Sequence, residues 1–157
     1  MSVRGFEIVS KYEGEGLNLP KRSTMQAAGY DFEAAVDMVI PAKGLQESAK
    51  PVLVPTGIKA YMQEGEYLQL VSRSSGPIKK KLIMPNGVGV VDGDYYNNEK
   101  NEGEIFLQFL NFGDEDVAIK KGERIGQGIF LPFLLADQDA DDIKVVRAGG
   151  FGSTGEA

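Results

Sequence analysis

The chain contains no histidine and no cysteine. Without His there is no Ser-His-Asp triad, no imidazole general base and no His-ligated metal. Without Cys there are no disulfides, no thiolate nucleophile and no zinc–thiolate site. Proton transfer is left to Asp, Glu, Lys, Tyr or water, and any metal must be a hard ion held by oxygen, such as Mg²⁺. Positive charge is also scarce: 17 Lys and Arg stand against 23 Asp and Glu, a net charge of −6. A nucleic-acid-binding surface normally needs the opposite sign. Long apolar runs are missing too. The longest, from Ile129 to Ala136, is far below the ~18 residues that span a bilayer. The opening MSVRGFEIVS has no secretory core. These absences lead to the expectation of a soluble cytoplasmic protein that engages neither membrane nor nucleic acid, and the lack of Cys agrees with a reducing compartment.

What is present points to strands. The 157 residues support one domain, or two very small ones, and 20 Gly with 7 Pro imply many turns between short elements. Periodicity is mostly two: in residues 66–72 and 105–112, polar Gln alternates with apolar neighbours. Further strands are expected at 6–11, 29–35, 52–54, 57–62, 87–91, 117–119, 125–134 and 143–146, punctuated by Pro41, Pro51, Pro55, Pro85 and Gly113. One short helix is expected after Ser74 or Ser75, with Pro77 in its first turn and Ile78, Leu82 and Ile83 on one face. Around ten strands and one helix predict an all-β sandwich or barrel.

Two charge runs, Lys79–Lys81 and the four aspartates within Asp137–Asp142, read as solvated surface. The tail differs. Arg147-Ala-Gly-Gly-Phe-Gly-Ser-Thr-Gly155 has four Gly in nine residues and cannot build a core. It is either a frayed terminus or an arm whose N–H groups, hydroxyls, guanidinium and aromatic face order on a phosphorylated aromatic ligand. Asp92-Gly93, taken alone, is a turn signal.

Five segments occur in order: Ala28-Gly-Tyr-Asp-Phe32, Arg73-Ser-Ser-Gly76, Asn86-Gly-Val-Gly-Val-Val-Asp-Gly-Asp-Tyr95, Gly122-Glu-Arg-Ile-Gly-Gln127, and Arg147 with Gly150-Phe-Gly-Ser-Thr-Gly155. Together they resemble the five motifs of the homotrimeric dUTPases, over about residues 25–155. The resemblance implies a distorted, jelly-roll-like β-barrel at 1–146, assembled as a homotrimer. A glycine-rich arm at 147–157 would close a site formed by neighbouring subunits. It implies Mg²⁺-dependent hydrolysis of dUTP to dUMP and pyrophosphate, which limits uracil in DNA and supplies dUMP. By the same resemblance, Asp92 is the base that activates the attacking water. Tyr95 packs on the deoxyribose, and Asn86 with the backbone around Gly89 and Val91 reads the uracil edge. Arg73, Ser74, Ser75 and Gln127 serve the phosphates. Arg147, Gly152, Ser153 and Thr154 close over them, and Phe151 stacks on uracil. Asp31 approaches the metal through its water shell.

Three departures stand out. Tyr96–Glu102 is an insertion after the third motif, similar to those of dUTPases from Gram-positive bacteria and their phages. It is expected to be a solvent-facing loop, with docking of a protein partner as the alternative. The link from Arg147 to Gly149-Gly150 is one residue short, and Gly126 stands where Ala is usual. Two other functions compete: a dCTP deaminase of the same architecture, disfavoured by the tail and by the Asp92–Tyr95 pattern, and a non-catalytic β-sandwich, which leaves the five motifs without a reason.

Overall fold

The computed structural model describes residues 1–42 and 50–150. Eleven strands are present there: β1 (Gly5–Ile8), β2 (Tyr30–Glu33), β3 (Met38–Ile40), β4 (Val52–Pro55), β5 (Ile58–Tyr61), β6 (Glu66–Val71), β7 (Leu82–Ile83), β8 (Gly89–Asp92), β9 (Phe106–Asn111), β10 (Val117–Ile119) and β11 (Arg124–Pro132). All pair antiparallel. A four-stranded sheet runs β2-β11-β6-β8 and a three-stranded one β4-β9-β7, with the pairs β1-β5 and β10-β3 completing an all-β, jelly-roll-like fold.

Alternation explains the core. Leu68 and Leu70 of β6, and Leu107, Phe109 and Asn111 of β9, point inward. Phe32, Val54, Leu68 and Leu107 are sealed from solvent, each burial stabilising by about 1.5–3 kcal/mol. Asn111 is the polar member: its amide donates to the carbonyls of Ile40 (3.0 Å) and Glu115 (2.8 Å) and accepts from the Gly113 N–H (2.9 Å). All its groups are satisfied, so its burial ties β9 to β3 without an unpaired dipole.

Several expectations need correction. The helix after Ser75 is one wide turn, Gly76–Lys80, with Pro77 in its first turn as expected. Lys81 ends it in the left-handed region at φ +57°. Ile78 faces solvent, and Leu82 and Ile83 form β7, paired with Asn111 and Leu110. The sheet supplies Leu82 with burial and backbone partners that a longer helix would forgo. Residues 38–40, between the expected elements, form a strand because β10 offers a full ladder to three residues too few to show a period. Residues 143–146, expected as a strand, join no sheet among the described residues and are exposed.

The 96–102 insertion is not a free loop. Asn98 is buried. Lys59 Nζ donates to Asn97 Oδ1 and Glu102 Oε2, both at 2.6 Å, and Glu102 also accepts from the Ser10 N–H and hydroxyl. The Lys59 hydrogen bond holds the Glu102 carboxyl below the usual carboxylate range.

β11 lies between β2 and β6, with a bulge between Arg124 and Gly126. Two of its glycines are set by packing. A Cβ on Gly126 would come 2.8 Å from Leu107 Cδ1 and 3.2 Å from the Val71 carbonyl oxygen. One on Gly128 would come 2.8 Å from Phe32 Cε1 and 3.1 Å from Leu68 Cδ1. Both neighbours of Gly128 are fully buried and cannot swing aside. Gly128→Ala is expected to cost about 1–3 kcal/mol of stability by overpacking, read by urea denaturation; an unchanged midpoint would mean that the sheet and Phe32 can separate freely.

Candidate functional site

The site is built on the hairpin that leads into β8. Its turn closes with the Gly87 N–H on the Met84 carbonyl at 2.9 Å, Gly87 taking φ +73°. β8 then pairs with β6, Asp92 opposite Tyr67 and Gly89 opposite Leu70. Period-two alternation turns Gly89 and Val91 inward and Val90 and Asp92 outward. β8 is one of the two edge strands of its sheet, so backbone groups on the side away from β6 have no sheet partner among the described residues. Fixed backbone donors and acceptors, with Asn86 at the turn, line one wall of a cleft of about 220 Å³. Leu70, Met84 and Ile105 supply its apolar lining, and Asp92, Tyr95, Arg147 and Gly150 complete it.

After Asp92 the chain makes one helical turn, Gly93–Tyr95, which swings Tyr95 inward. The ring is buried, and burial pushes the phenol above its usual range. Its hydroxyl donates to the Glu104 carbonyl at 2.5 Å and accepts from Asn101 Nδ2 at 2.9 Å.

Arg147 returns from the exposed segment after β11 to the same place. Its Nη2 meets Asp92 Oδ2 at 2.5 Å, its Nε meets Asp94 Oδ1 at 2.7 Å, and its Nη1 donates to the Gly149 carbonyl at 3.1 Å. The guanidinium is mostly covered, whereas half of the Asp92 side chain remains open to solvent. The two following glycines pack closely: a Cβ on Gly149 would come 2.8 Å from Lys100 Cδ, and one on Gly150 2.7 Å from Tyr95 Cε1. Without side chains there, the root of the arm lies against Tyr95 and the insertion.

A second group of expected residues sits elsewhere. Asp31 and Val71 flank Gln127 in register across β11, and Gln127 Nε2 donates to the Ser72 carbonyl at 3.5 Å. Arg124 approaches Asp31 at 3.6 Å, and Arg73 Nη1 donates to the Arg124 carbonyl at 3.4 Å. Ser74 is exposed at the start of the wide turn, and Ser75 shares a small hollow with Arg73 and Lys80. Asp92 lies opposite Tyr67 and Gln127 opposite Val71, at the two ends of β6. Four residues at about 3.4 Å each, and two strand steps of about 4.8 Å, separate them by roughly 17 Å.

One chain thus unites Asn86, Gly89, Val91, Asp92, Tyr95 and Arg147 at the cleft, and gathers Asp31, Arg73, Ser75 and Gln127, with Ser74 beside them, at a separate patch. Phe151, Gly152, Ser153 and Thr154 lie outside the described residues. Sequence reasoning missed Asp94, which shares Arg147, and Asn101, which holds Tyr95. Asp94 was legible as the second carboxylate of the Asp92-Gly93-Asp94 run; Asn101 carries no signal until the loop is seen folded. Among the described residues no three Asp, Glu, His or Cys side chains cluster to hold a metal, and no helix is long and apolar enough to cross a membrane.

The dUTPase family model matches residues 15–155. Deoxyuridine 5'-triphosphate nucleotidohydrolase of Lactococcus lactis is 54% identical over 155 residues, covering 99% of each chain. The crystal structure of dUTPase from Streptococcus mutans, also 54% identical, covers 85% of this chain and 98% of that one with a TM-score of 0.77. A mutant dUTPase from phage phi11 of S. aureus, described for its coordination of a structural Mg(II) ion, shares the fold at 17% identity, with a TM-score of 0.67 over 87% of this chain and 94% of that one.

The two carboxylates on Arg147 are at least half exposed, so each contributes up to about 1 kcal/mol. Asp94→Asn is expected to speed tryptic cleavage after Arg147 by about two- to fivefold, followed by mass spectrometry; an unchanged rate would show that Asp94 does not hold the arm.

Proposed function

The chain belongs to the dUTPase family and hydrolyses dUTP as a dUTP diphosphatase, and from that premise we propose how its residues divide the work. The observation that carries the proposal is the convergence of Asn86, the β8 edge, Asp92, Tyr95 and Arg147 on one cleft. The uracil ring enters against the free edge of β8. Cytosine presents the opposite donor and acceptor pattern and would leave buried backbone groups unpaired, which discriminates by up to ~10⁴. The Tyr95 ring lies along the deoxyribose and leaves no room for a 2′-hydroxyl.

The phosphate-binding residues come from another copy of the chain. Gln127 stands roughly 17 Å from Asp92 at the other end of β6, and Arg73, Ser74 and Ser75 follow in the chain just beyond that end. A homotrimer would place the patch of one subunit beside the cleft of the next, giving three equivalent sites. The exposed apolar side chains Leu134, Leu135, Ile143, Val145 and Val146 support this, because a neighbouring subunit would remove them from water. Residues 1–146 are the catalytic barrel and 147–157 the closing arm, in which Phe151 stacks on the base and Gly152, Ser153 and Thr154 meet the phosphates. The outward side of the insertion, Asn97, Glu99 and Lys100, is the surface a protein partner would meet.

In the reaction Asp92 takes a proton from water. The water oxygen bonds to the α-phosphorus, and the bond from that phosphorus to the bridging oxygen breaks. dUMP and pyrophosphate leave. Arg147 exchanges Asp92 and Asp94 for the γ-phosphate as the arm closes, which frees the Asp92 carboxylate for the water and excludes solvent. The residues present fit Mg²⁺. Asp31 is a half-buried hard-oxygen ligand next in register to Gln127, and a single carboxylate reaching the ion through water suits a metal held chiefly by phosphate oxygens. When bound, Mg²⁺ would supply charge neutralisation along the triphosphate.

Product analysis tests the reading: dUTP should give dUMP and pyrophosphate, with dCTP, dTTP and UTP poor substrates, and ammonia release from dCTP would overturn it. Asp92→Asn should lower kcat at least ~10²-fold with a smaller change in KM; near-normal turnover would remove Asp92 from the chemistry. Truncation after Val146 should leave a trimer by light scattering with little activity, and full activity would refute the closing arm.

A further inference from the structure

The hydroxyl of Tyr95 is tied on both sides by a network that the insertion completes. A phenol has one proton, and here it is donated to the Glu104 carbonyl. Any second partner must therefore be a donor, and Asn101 Nδ2 is that donor. The Asn101 amide cannot turn over, because its Oδ1 already accepts from the Gly103 N–H at 3.0 Å and from Asn98 Nδ2 at 2.8 Å. Asn98 is held in turn. Its Nδ2 also donates to the Tyr95 carbonyl at 2.8 Å, and its Oδ1 accepts from the N–H groups of Lys100 and Asn101. Gly103, at φ +91°, brings the loop back so closely that a Cβ would lie 2.8 Å from the Tyr95 carbonyl oxygen. On the other side, the carbonyl that accepts from Tyr95 belongs to Glu104, whose buried carboxylate is fixed by Lys11 at 3.1 Å and the Gly57 N–H at 3.1 Å.

We infer that Asn101 is a positioning residue for sugar selectivity: through the Tyr95 hydroxyl it fixes the pitch of the ring that excludes a ribose 2′-hydroxyl. The 96–102 insertion thereby acts on the known reaction from within the subunit. The inference rests on the placement of Tyr95 at the deoxyribose proposed above. A ring held only at its Cβ can rock about χ1 and χ2 and open the space beside C2′. A ring pinned at its far end by two opposed hydrogen bonds cannot. The polar loop thus converts a packing contact into a steric limit on the sugar.

The test compares kcat/KM for dUTP and UTP in the full-length enzyme and in Asn101→Ala, Tyr95→Phe, their double variant and Tyr95→Leu. Asn101→Ala should lower the dUTP/UTP ratio by about five- to tenfold, within the range that small displacements at a site produce. Tyr95→Phe, which removes both hydrogen bonds of the hydroxyl, should lower it at least as much. The double variant should go no further than Tyr95→Phe, because Asn101 acts only through the oxygen that Tyr95→Phe already removes. Should Asn101→Ala fail to fold, Asn101→Asp, which keeps the loop's acceptor oxygen but cannot donate to the phenol, takes its place. A ratio unchanged in Asn101→Ala or Tyr95→Phe, or equal losses for both nucleotides, would overturn the inference. Tyr95→Leu separates the two levels: if it leaves the ratio intact, the placement of Tyr95 at the sugar is what fails, and if it alone lowers the ratio, only the anchoring by Asn101 fails.

Discussion

The register of β6 against its two neighbours governs where everything chemical lies. β8 pairs along Tyr67–Leu70 and ends on Asp92, whereas β11 pairs along the whole strand and carries Gln127 to the far end. A slip of one residue in the β6–β8 ladder would turn Asp92 into the core and Val91 out to solvent. The slip is prevented by burial of Leu68, Leu70 and Val91 and by the close approach of Gly89 to Leu70. The same register that exposes the carboxylate also holds it away from Gln127 and Asp31. Folding of one chain therefore leaves Asp92 apart from Gln127 and Asp31, and the site proposed above needs a second subunit to join them.

Electrostatics follow from that arrangement. The chain carries −6 overall, yet its substrate is a polyanion, so positive charge must be local. Arg147 is a cation lining the cleft, and it bridges Asp92 and Asp94. The pairing offsets the repulsion between two carboxylates two residues apart and keeps the root of the arm beside the site. Gly149 and Gly150 allow that approach because neither presents a side chain to Lys100 or Tyr95. A triphosphate offers the guanidinium more charge than the two aspartates do, so in the proposed mechanism substrate binding and release of Asp92 are one event.

Much of this was legible in the residues. Alternation found β6 and β9, because each has one face in the core and one outside, and 87–91 read as a strand set off by Pro85, where β8 runs Gly89–Asp92. Two of the short strands escaped, whereas the equally short 117–119 was expected and forms β10. Three residues at Met38–Ile40 and two at Leu82–Ile83 are too few to show a period, and their pairing depends on partners distant in sequence. The helix was overextended because Leu82 and Ile83 are apolar in either setting, and only the ladder with β9 decides between them. Residues 143–146 have strand composition but no strand partner among the described residues. The insertion was legible on one side only: Asn97, Glu99 and Lys100 face solvent as expected, but nothing local reveals that Lys59, Ser10 and Tyr95 receive its inner side. Grouping of the site residues was legible only in part, since motif order along the chain says nothing about which ends of a strand they occupy.

The claim most exposed to test is that no single chain holds a complete site. Asp92→Asn and Gln127→Ala chains, each expected to lose most activity alone, should be dissociated, mixed in equal amounts and reassembled. If each site takes Asp92 from one subunit and Gln127 from the next, random assortment in a threefold assembly restores about one quarter of wild-type sites. Activity near that level is the predicted result. Activity no higher than that of the separate variants, with mixed trimers confirmed by mass, would contradict the account.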